Sequence, residues 1–161
     1  MVHTTVDLAD VEAHAKLLID SYARLTGKSL IGGGRGAASE AEALFEAPYA
    51  LLSHGTEADP ILNFGNRQAL TLWEMDWPSF TSMPSRLTAE PTLRADRTKL
   101  LEDVKRQGYS DGYRGIRIAS SGKRFEIIDA VVWNVVDAEG VYRGQAAMFP
   151  LWGDARQADN Y

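Results

Sequence analysis

Apolar residues near the N-terminus recur at alternating spacings of three and four positions, namely Leu8, Val11, Ala15, Leu18, Tyr22 and Leu25. This spacing places them on one face of an α-helix. Thr5 or Asp7 can cap its start, and Gly27 follows its predicted end at Thr26. The stripe predicts that the helix packs on the chain's own sheet or forms a short dimer seam. Different positions of the same helix can make the two kinds of contact.

The glycine-rich segment 28–38 separates this helix from the rest of the chain. A phosphate-binding loop would need a preceding strand and a final Lys-Ser or Lys-Thr, and this segment has neither. We therefore predict a linker. Ser39 with Glu42 three residues later is a capping box, which starts a second helix that reaches Glu46 and ends before Pro48.

The middle of the chain predicts a hairpin followed by helices. Short apolar runs give strands at 49–53 and 61–64, and Asn66 can cap a helix that buries Ala69, Leu70, Leu72 and Trp73. Segment 79–90 predicts a loop or a single helical turn. Pro91 can begin a longer helix whose inward positions are Leu93, Leu100, Leu101 and Val104 and which Gly108 ends.

Three β-rich runs follow, at about 113–119, 124–136 and 141–152. The turns Ser120-Ser121-Gly122-Lys123 and Asp137-Ala138-Glu139-Gly140 join them as antiparallel hairpins. The prediction is an α+β domain: a five-stranded antiparallel sheet with helices on its concave face and an added N-terminal helix.

Composition narrows the class of protein. The length of 161 residues suits one domain over 1–161, with a helix at 1–27 and a core at 39–152. The net charge is -5. The acidic balance argues against direct nucleic-acid binding. No segment approaches the roughly 20 apolar residues that cross a bilayer, so no membrane partner and a cytoplasmic location are expected. The chain contains no cysteine, which excludes thiolate chemistry and a cysteinyl-flavin adduct.

Metal and nucleophile patterns are weak. The histidines, His3, His14 and His54, are too dispersed for metal-ligand spacing. His54 is expected to hydrogen-bond the turn that follows it. Ser53 and His54 are adjacent on a strand and point to opposite faces, so they cannot form a nucleophile-base pair. The sequence therefore assigns no metal ligand, no catalytic residue and no cofactor.

Polar residues inside the predicted strands are the better candidates for ligand binding. Asn134 shares strand parity with Ile128, Ala130 and Val132, and Gln145 shares it with Ala147 and Phe149, so both amides can face the helices. The amides can also satisfy one another or the backbone. Arg117 and Asp129 can similarly pair across strands. The candidate ligand-binding residues are Asn63, Tyr113, Arg117, Asp129, Asn134 and Gln145.

Trp133 has the opposite parity from Asn134, which places its ring on the outer face of the sheet. A ring of that size needs a cover. The N-terminal helix or a second subunit can provide it, and this is the sequence argument for a homodimer.

Several runs resemble the MEKHLA domain family over about residues 14–149: Asp59-Pro60-Ile61-Leu62-Asn63-Phe64-Gly65-Asn66, the segment 94–108, Gly112-Tyr113-Arg114-Gly115-Ile116-Arg117, Asp129-Ala130-Val131-Val132-Trp133-Asn134 and Gly144-Gln145-Ala146-Ala147-Met148-Phe149. That family is similar to PAS domains, stands alone in bacteria, and forms the C-terminal domain of plant class III homeodomain leucine-zipper factors. The resemblance implies a PAS-like fold and a role in sensing and partner binding.

Three functional hypotheses follow. The first is a stand-alone sensory or ligand-binding module for a small organic molecule, a protein partner or both. The second is a small cofactor-independent enzyme that uses the same cavity, with Asp129, Arg117 or Tyr113 as acid-base groups. The third is a purely structural dimerisation module, which predicts no usable cavity.

Overall fold

One antiparallel sheet of six strands organises the part of the chain that the computed structural model describes, residues 8–31, 39–89 and 94–154. The strands are β1 (Ala50–His54), β2 (Leu62–Gly65), β3 (Tyr109–Ile118), β4 (Arg124–Val136), β5 (Tyr142–Phe149) and β6 (Leu151–Asp154). Their order is β2-β1-β5-β4-β3, with β6 also paired to β4. The two predicted hairpin groups therefore join where β1 pairs with β5.

The described helices are α1 (Leu8–Thr26), α2 (Glu40–Phe45), α3 (Arg67–Trp73), the single turn α4 (Trp77–Phe80), a 3₁₀ helix (Ser85–Thr88) and α5 (Arg94–Gln107). Three begin at caps that the sequence specifies. Ser39 accepts a hydrogen bond from the Glu42 amide at 3.1 Å, and Asn66 accepts one from the Ala69 amide at 3.1 Å. Asp76 does the same for α4 through the Ser79 amide at 2.9 Å. The first two caps confirm the prediction.

Helix α4 begins at Trp77-Pro78, where the sequence predicts no separate helix. The predicted inward position of Leu101 is wrong, because Leu101 is 56% exposed, whereas its neighbour Leu100 packs against the inner core. The run 79–90 contains the 3₁₀ helix, and β3 begins at Tyr109, earlier than predicted. The predicted caps Thr5 and Asp7, most of the glycine-rich linker (32–38), and Pro91 with Leu93 lie outside the described residues.

A bulge at Asp129 divides β4 into two halves. Asp129 has φ 58°, and the register with β3 jumps between the pairs Tyr113–Ala130 and Gly115–Ile127. An extra residue reverses strand parity beyond it, so Ile127 packs in the inner core and the predicted inward position of Ile128 is wrong. Pro150 lies at the same level and divides the predicted run 141–152 into β5 and β6, which pair with the two halves of β4.

The sheet carries a core on each face. The inner core lies under α3, α4 and α5 and includes Trp73, Phe80, Phe125 and Phe149. The outer core lies under α1 and α2 and includes Leu18, Tyr22, Leu44 and Trp133. Alternation along the strands produces both, since neighbouring residues of β4 and β5 point to opposite faces. Burial on both faces places the helices where they can enclose a cavity on the inner side.

Helix α1 packs on its own sheet. Tyr22 meets the Trp133 ring edge-on, with centroids 4.9 Å apart, and both residues are buried. Ser21 Oγ donates to the Asn134 carbonyl at 2.9 Å and accepts from the Val136 amide at 3.1 Å. Burying each large apolar side chain stabilises the fold by about 1.5–3 kcal/mol. The stripe on α1 is therefore used within the chain, and Trp133 is covered without a second subunit.

Candidate functional site

A cavity of about 130 Å³ lies between the inner face of the sheet and the helices that cover it. Strands β1 to β5 contribute residues to one wall, and the 3₁₀ helix and α5 form the other. Its apolar lining includes Leu52, Leu62, Ile127, Val132, Ala147 and Phe149. Its polar lining includes His54, Ser85, Thr88, Tyr113, Arg117 and Gln145. Apolar walls with a few polar groups are typical of small-molecule sites.

Tyr113 and Arg117 form one end of the cavity. They share a face of β3 with Gly115, and the Arg117 guanidinium lies over the Tyr113 ring with its carbon 5.7 Å from the centroid. Gly115 leaves room for this pose, because a Cβ there would lie 2.8 Å from Nη1 of Arg117. Nη1 also donates to the Ile116 carbonyl at 3.2 Å. Among the described residues, no carboxylate lies within 4.0 Å of this guanidinium.

His54 and Gln145 form the other end. Gln145 lies opposite His54 on β1 and opposite Asn134 on β4, so the three residues make a polar row across the inner face. Gln145 Nε2 donates to Asn134 Oδ1 at 3.3 Å. His54 Nδ1 donates to the Gly55 carbonyl at 2.9 Å, as predicted for the turn. A neutral His54 ring then has an unprotonated Nε2 that can accept a hydrogen bond.

The cavity brings together three of the six predicted residues: Tyr113, Arg117 and Gln145. Asn134 faces the same side with Ala130 and Val132 and contacts Gln145, so the predicted facing and the alternative of mutually satisfied amides both describe it. Asp129 is exposed at the bulge and does not line the cavity. The expected pairing with Arg117 is absent, because Arg117 lies opposite Phe125.

Asn63 lies under α1, at a polar contact on the outer face of the sheet. Its Oδ1 accepts from Ser53 Oγ at 2.5 Å, and Ser53 Oγ lies 3.0 Å from Nε2 of His14. Ser53 has one hydroxyl proton, so His14 is the donor and carries its proton on Nε2. Burial lowers the pKa of His14, against a smaller raising effect of Asn63.

The sequence excludes a pair between the adjacent Ser53 and His54, and the fold instead brings Ser53 to His14, 39 positions away. The Ser53 hydroxyl is buried and is engaged by both Asn63 and His14 on the outer face of the sheet. The contact therefore holds α1 on the sheet. Ser85 and Thr88 were also missed, because the loop that carries them has no periodicity that predicts an inward face.

The described residues contain no group of three or more histidines, cysteines, aspartates or glutamates that could hold a metal ion. No Asp or Glu side chain lines the cavity among them. Within the same residues, no helix is both long and apolar enough to cross a membrane.

Sequence comparison identifies the family. The model of the MEKHLA domain matches residues 12–154, most of the chain. The chain belongs to the MEKHLA domain family. Comparison with curated proteins gives no significant match.

Solved structures that resemble this MEKHLA domain are PAS and light-oxygen-voltage domains. The PAS domain of a Colwellia psychrerythraea protein has a TM-score of 0.55 and 13% identity, over 71% of this chain and 92% of that one. A light-oxygen-voltage domain studied with a flavin analogue has a TM-score of 0.56 and 15% identity, over 74% and 86%. The light-state dimer of the fungal photoreceptor Vivid has a TM-score of 0.53 and 11% identity, over 91% and 95%. These likenesses confirm the PAS-like fold.

A flavin does not fit this site. The cavity of about 130 Å³ is well below the roughly 300–1,000 Å³ of sites that hold drug-sized ligands. The sequence also has no cysteine to form a flavin adduct. The MEKHLA domain therefore has the architecture of these photoreceptor domains with a cavity sized for a smaller molecule.

Proposed function

We propose that this MEKHLA domain is a sensory module that binds a small organic molecule in its inner cavity and passes the binding event to a protein partner. The cavity of about 130 Å³ between the sheet and its covering helices is the observation that carries the proposal. Its apolar walls and two polar ends can fix the orientation of a small ligand. The PAS-like sensory fold supports the same function.

Strand β1 supplies a connection from the cavity to the outer face. Leu52 and His54 line the cavity, and Ser53 between them contacts His14 on α1. A ligand that displaces β1 therefore also disturbs the hydrogen bond that holds α1. The elements that close the cavity, the 3₁₀ helix and α5, each carry an exposed leucine, Leu87 at 52% and Leu101 at 56%. A partner that contacts these elements would respond to movement of the cavity wall.

A thermal-shift screen of small organic molecules against the purified protein tests ligand binding. A ligand at 100 times its Kd stabilises the fold by about 2.7 kcal/mol. Ala147→Leu extends a side chain into the cavity and should abolish the shift. Ala138→Leu adds the same side chain on the exposed β4–β5 turn and should leave it intact. A ligand that stabilises both variants equally binds elsewhere and contradicts the proposal.

The enzyme hypothesis gains no support from a specific contact. Its acid-base groups were Asp129, Arg117 and Tyr113, and Asp129 is exposed at the bulge, away from the cavity.

We also propose that the protein forms a homodimer, a state described for the similar Vivid structure. The surface differs from the one expected, because Leu18 and Trp133 are buried within one chain. Leu18→Asp would therefore destabilise the outer core and cannot report on association. The exposed Leu101 is a better probe. Sedimentation should give a dimer that Leu101→Ser weakens, and a wild-type monomer across micromolar concentrations would contradict the proposal.

A further inference from the structure

We propose that the ligand is a small monocarboxylate with a single ring or an equally compact apolar body, held through its carboxylate by Arg117. This inference rests on the proposed ligand-binding function and names the chemical class of the ligand. It begins from the charge at the Tyr113 end of the cavity. Arg117 is half-buried there, and its only described polar contact is the neighbouring Ile116 carbonyl.

A cation at the wall of an apolar cavity is costly unless an anion compensates it. The two carboxylates of β4, the strand that pairs with β3, are used elsewhere or exposed. Glu126 accepts from Arg114 at 3.1 Å, and Asp129 is exposed at the bulge. No Asp or Glu of the described chain lines the cavity, so an anionic ligand would meet no like charge from that lining.

The geometry leaves the guanidinium available for a carboxylate. The central carbon of the guanidinium lies over the Tyr113 ring, and Nη1 occupies space that a Cβ at Gly115 would fill. One face of the guanidinium is thus occupied, while its N–H donors lie in its own plane. One hydrogen bond, to Ile116, uses one of the five donors. The remaining donors can bind both oxygens of a carboxylate side by side.

The size of the cavity limits the rest of the ligand. An apolar cavity of about 150 Å³ in another protein binds benzene, and this one measures about 130 Å³. Its apolar walls, such as Leu52, Ile127 and Phe149, suit one ring or a short branched chain.

The second polar end lies at Gln145. The β4 partners of Tyr113 and Gln145 are Ala130 and Asn134, four positions apart, which corresponds to roughly 13 Å along the strand before side chains shorten the gap. A substituent on the ring, opposite the carboxylate, would point toward this end.

Three compounds of nearly the same shape test the charge: benzoate, neutral benzamide and cationic benzamidine, titrated calorimetrically into the intact protein at pH 7. A charge-assisted pair is expected to make benzoate bind about ten- to a hundredfold more tightly than benzamide. Benzamidine should bind more weakly than both. Arg117→Met should abolish the preference for benzoate. Arg114→Met removes an exposed arginine of the same strand and should preserve it.

The outcomes separate this inference from the proposed function. If wild type binds benzamide as tightly as benzoate, the cavity is a ligand site but the carboxylate inference is wrong. If none of the three compounds binds, the inference is also wrong, and the broader thermal-shift screen decides the proposed function. If Arg117→Met does not fold, the comparison of the three compounds on wild type still decides, and Arg117→Lys, which keeps the charge without the planar fork, should show a reduced preference.

Discussion

Asn66 offers the sharpest test of how the sequence holds this fold together. Its side chain is fully buried and makes four hydrogen bonds. Oδ1 accepts from the Leu51 amide at 3.0 Å and the Ala69 amide at 3.1 Å. Nδ2 donates to the Leu44 carbonyl at 3.2 Å and the Tyr49 carbonyl at 2.8 Å. One amide therefore links the end of α2, strand β1 and the start of α3.

Asn66→Ala should destabilise the protein by about 4 kcal/mol. The Leu51 and Ala69 amides would be left buried without these partners, at a cost of roughly 1–3 kcal/mol each. Losing the hydrogen bond to the Leu44 carbonyl costs less free energy, because this carbonyl also accepts from the Ala47 amide at 3.4 Å. A loss of this size is a large part of the 5–15 kcal/mol that stabilises a typical domain.

Urea unfolding measures the loss as a change in midpoint at constant slope. Asn134→Ala is the matched control, because this half-buried amide makes one described side-chain hydrogen bond, to Gln145. Its loss should cost only about 0.5–1.5 kcal/mol. Equal losses in the two alanine variants would refute the reasoning.

Asn66→Asp separates the acceptor from the donors. It keeps the oxygen that the Leu51 and Ala69 amides need, but turns a second oxygen toward two carbonyls. Burial and these carbonyls should raise the pKa of the new carboxyl above its unfolded value of about 3.9. The unfolded chain then loses its proton first as pH rises, so the deficit against wild type should grow above about pH 4. The deficit of Asn66→Ala should not depend on pH in this way.

Three further predictions use other contacts. Burial lowers the pKa of His14, so the unfolded chain binds the proton first as pH falls below about 6.5, and wild type should lose stability between pH 7.5 and 5.5 relative to His14→Gln in urea titrations. The hydrogen bond from Lys99 is the largest of the effects that lower the pKa of Asp103 to about 2. The stability that the Asp103 carboxylate contributes is therefore present above about pH 3.9 and is lost as pH falls toward 2. In urea titrations, Asp103→Asn should lack this acid-dependent loss. Gly144 has φ 133°, and a Cβ there would lie 1.9 Å from a carbonyl oxygen of β1, so Gly144→Ala should cost about 3 kcal/mol or more by thermal unfolding. Gly140→Ala, at φ 81° in open space, should cost only about 1–2 kcal/mol, and equal losses would contradict the predicted clash.

The resemblance to the MEKHLA family extended the prediction from separate helices and strands to their arrangement in a known fold. It implied the PAS-like fold, which the family model and the similar structures confirm. It named no ligand, so Asn134 and Gln145 were chosen by strand parity, and Arg117 and Asp129 by their possible pairing across strands.

Features set within a few residues could be predicted from the sequence. The caps Ser39 and Asn66 depend on a side chain and an amide three positions away, and Gly27 and Gly108 end helices at positive φ. Alternation predicted β4 with the bounds that the structure has. It also placed Asn134 and Gln145 on the inner face of the sheet. That prediction holds because no bulge separates Asn134 from Val132, or Gln145 from Ala147, so side chains alternate regularly there.

Only the tertiary structure decided which polar groups meet. The bulge at Asp129 adds one residue to β4, so the side chains before it point to the opposite face from the one that alternation predicts. The bulge is visible only in the structure, in the register of β4 with β3. Asn63 joins Ser53 and His14 on the outer face because a hairpin and a helix converge there, and Arg117 lines the cavity beside Tyr113, on which its guanidinium packs. Residues far apart in sequence make these contacts, and local spacing carries no information about such pairs until the sheet register and the packing of α1 are set.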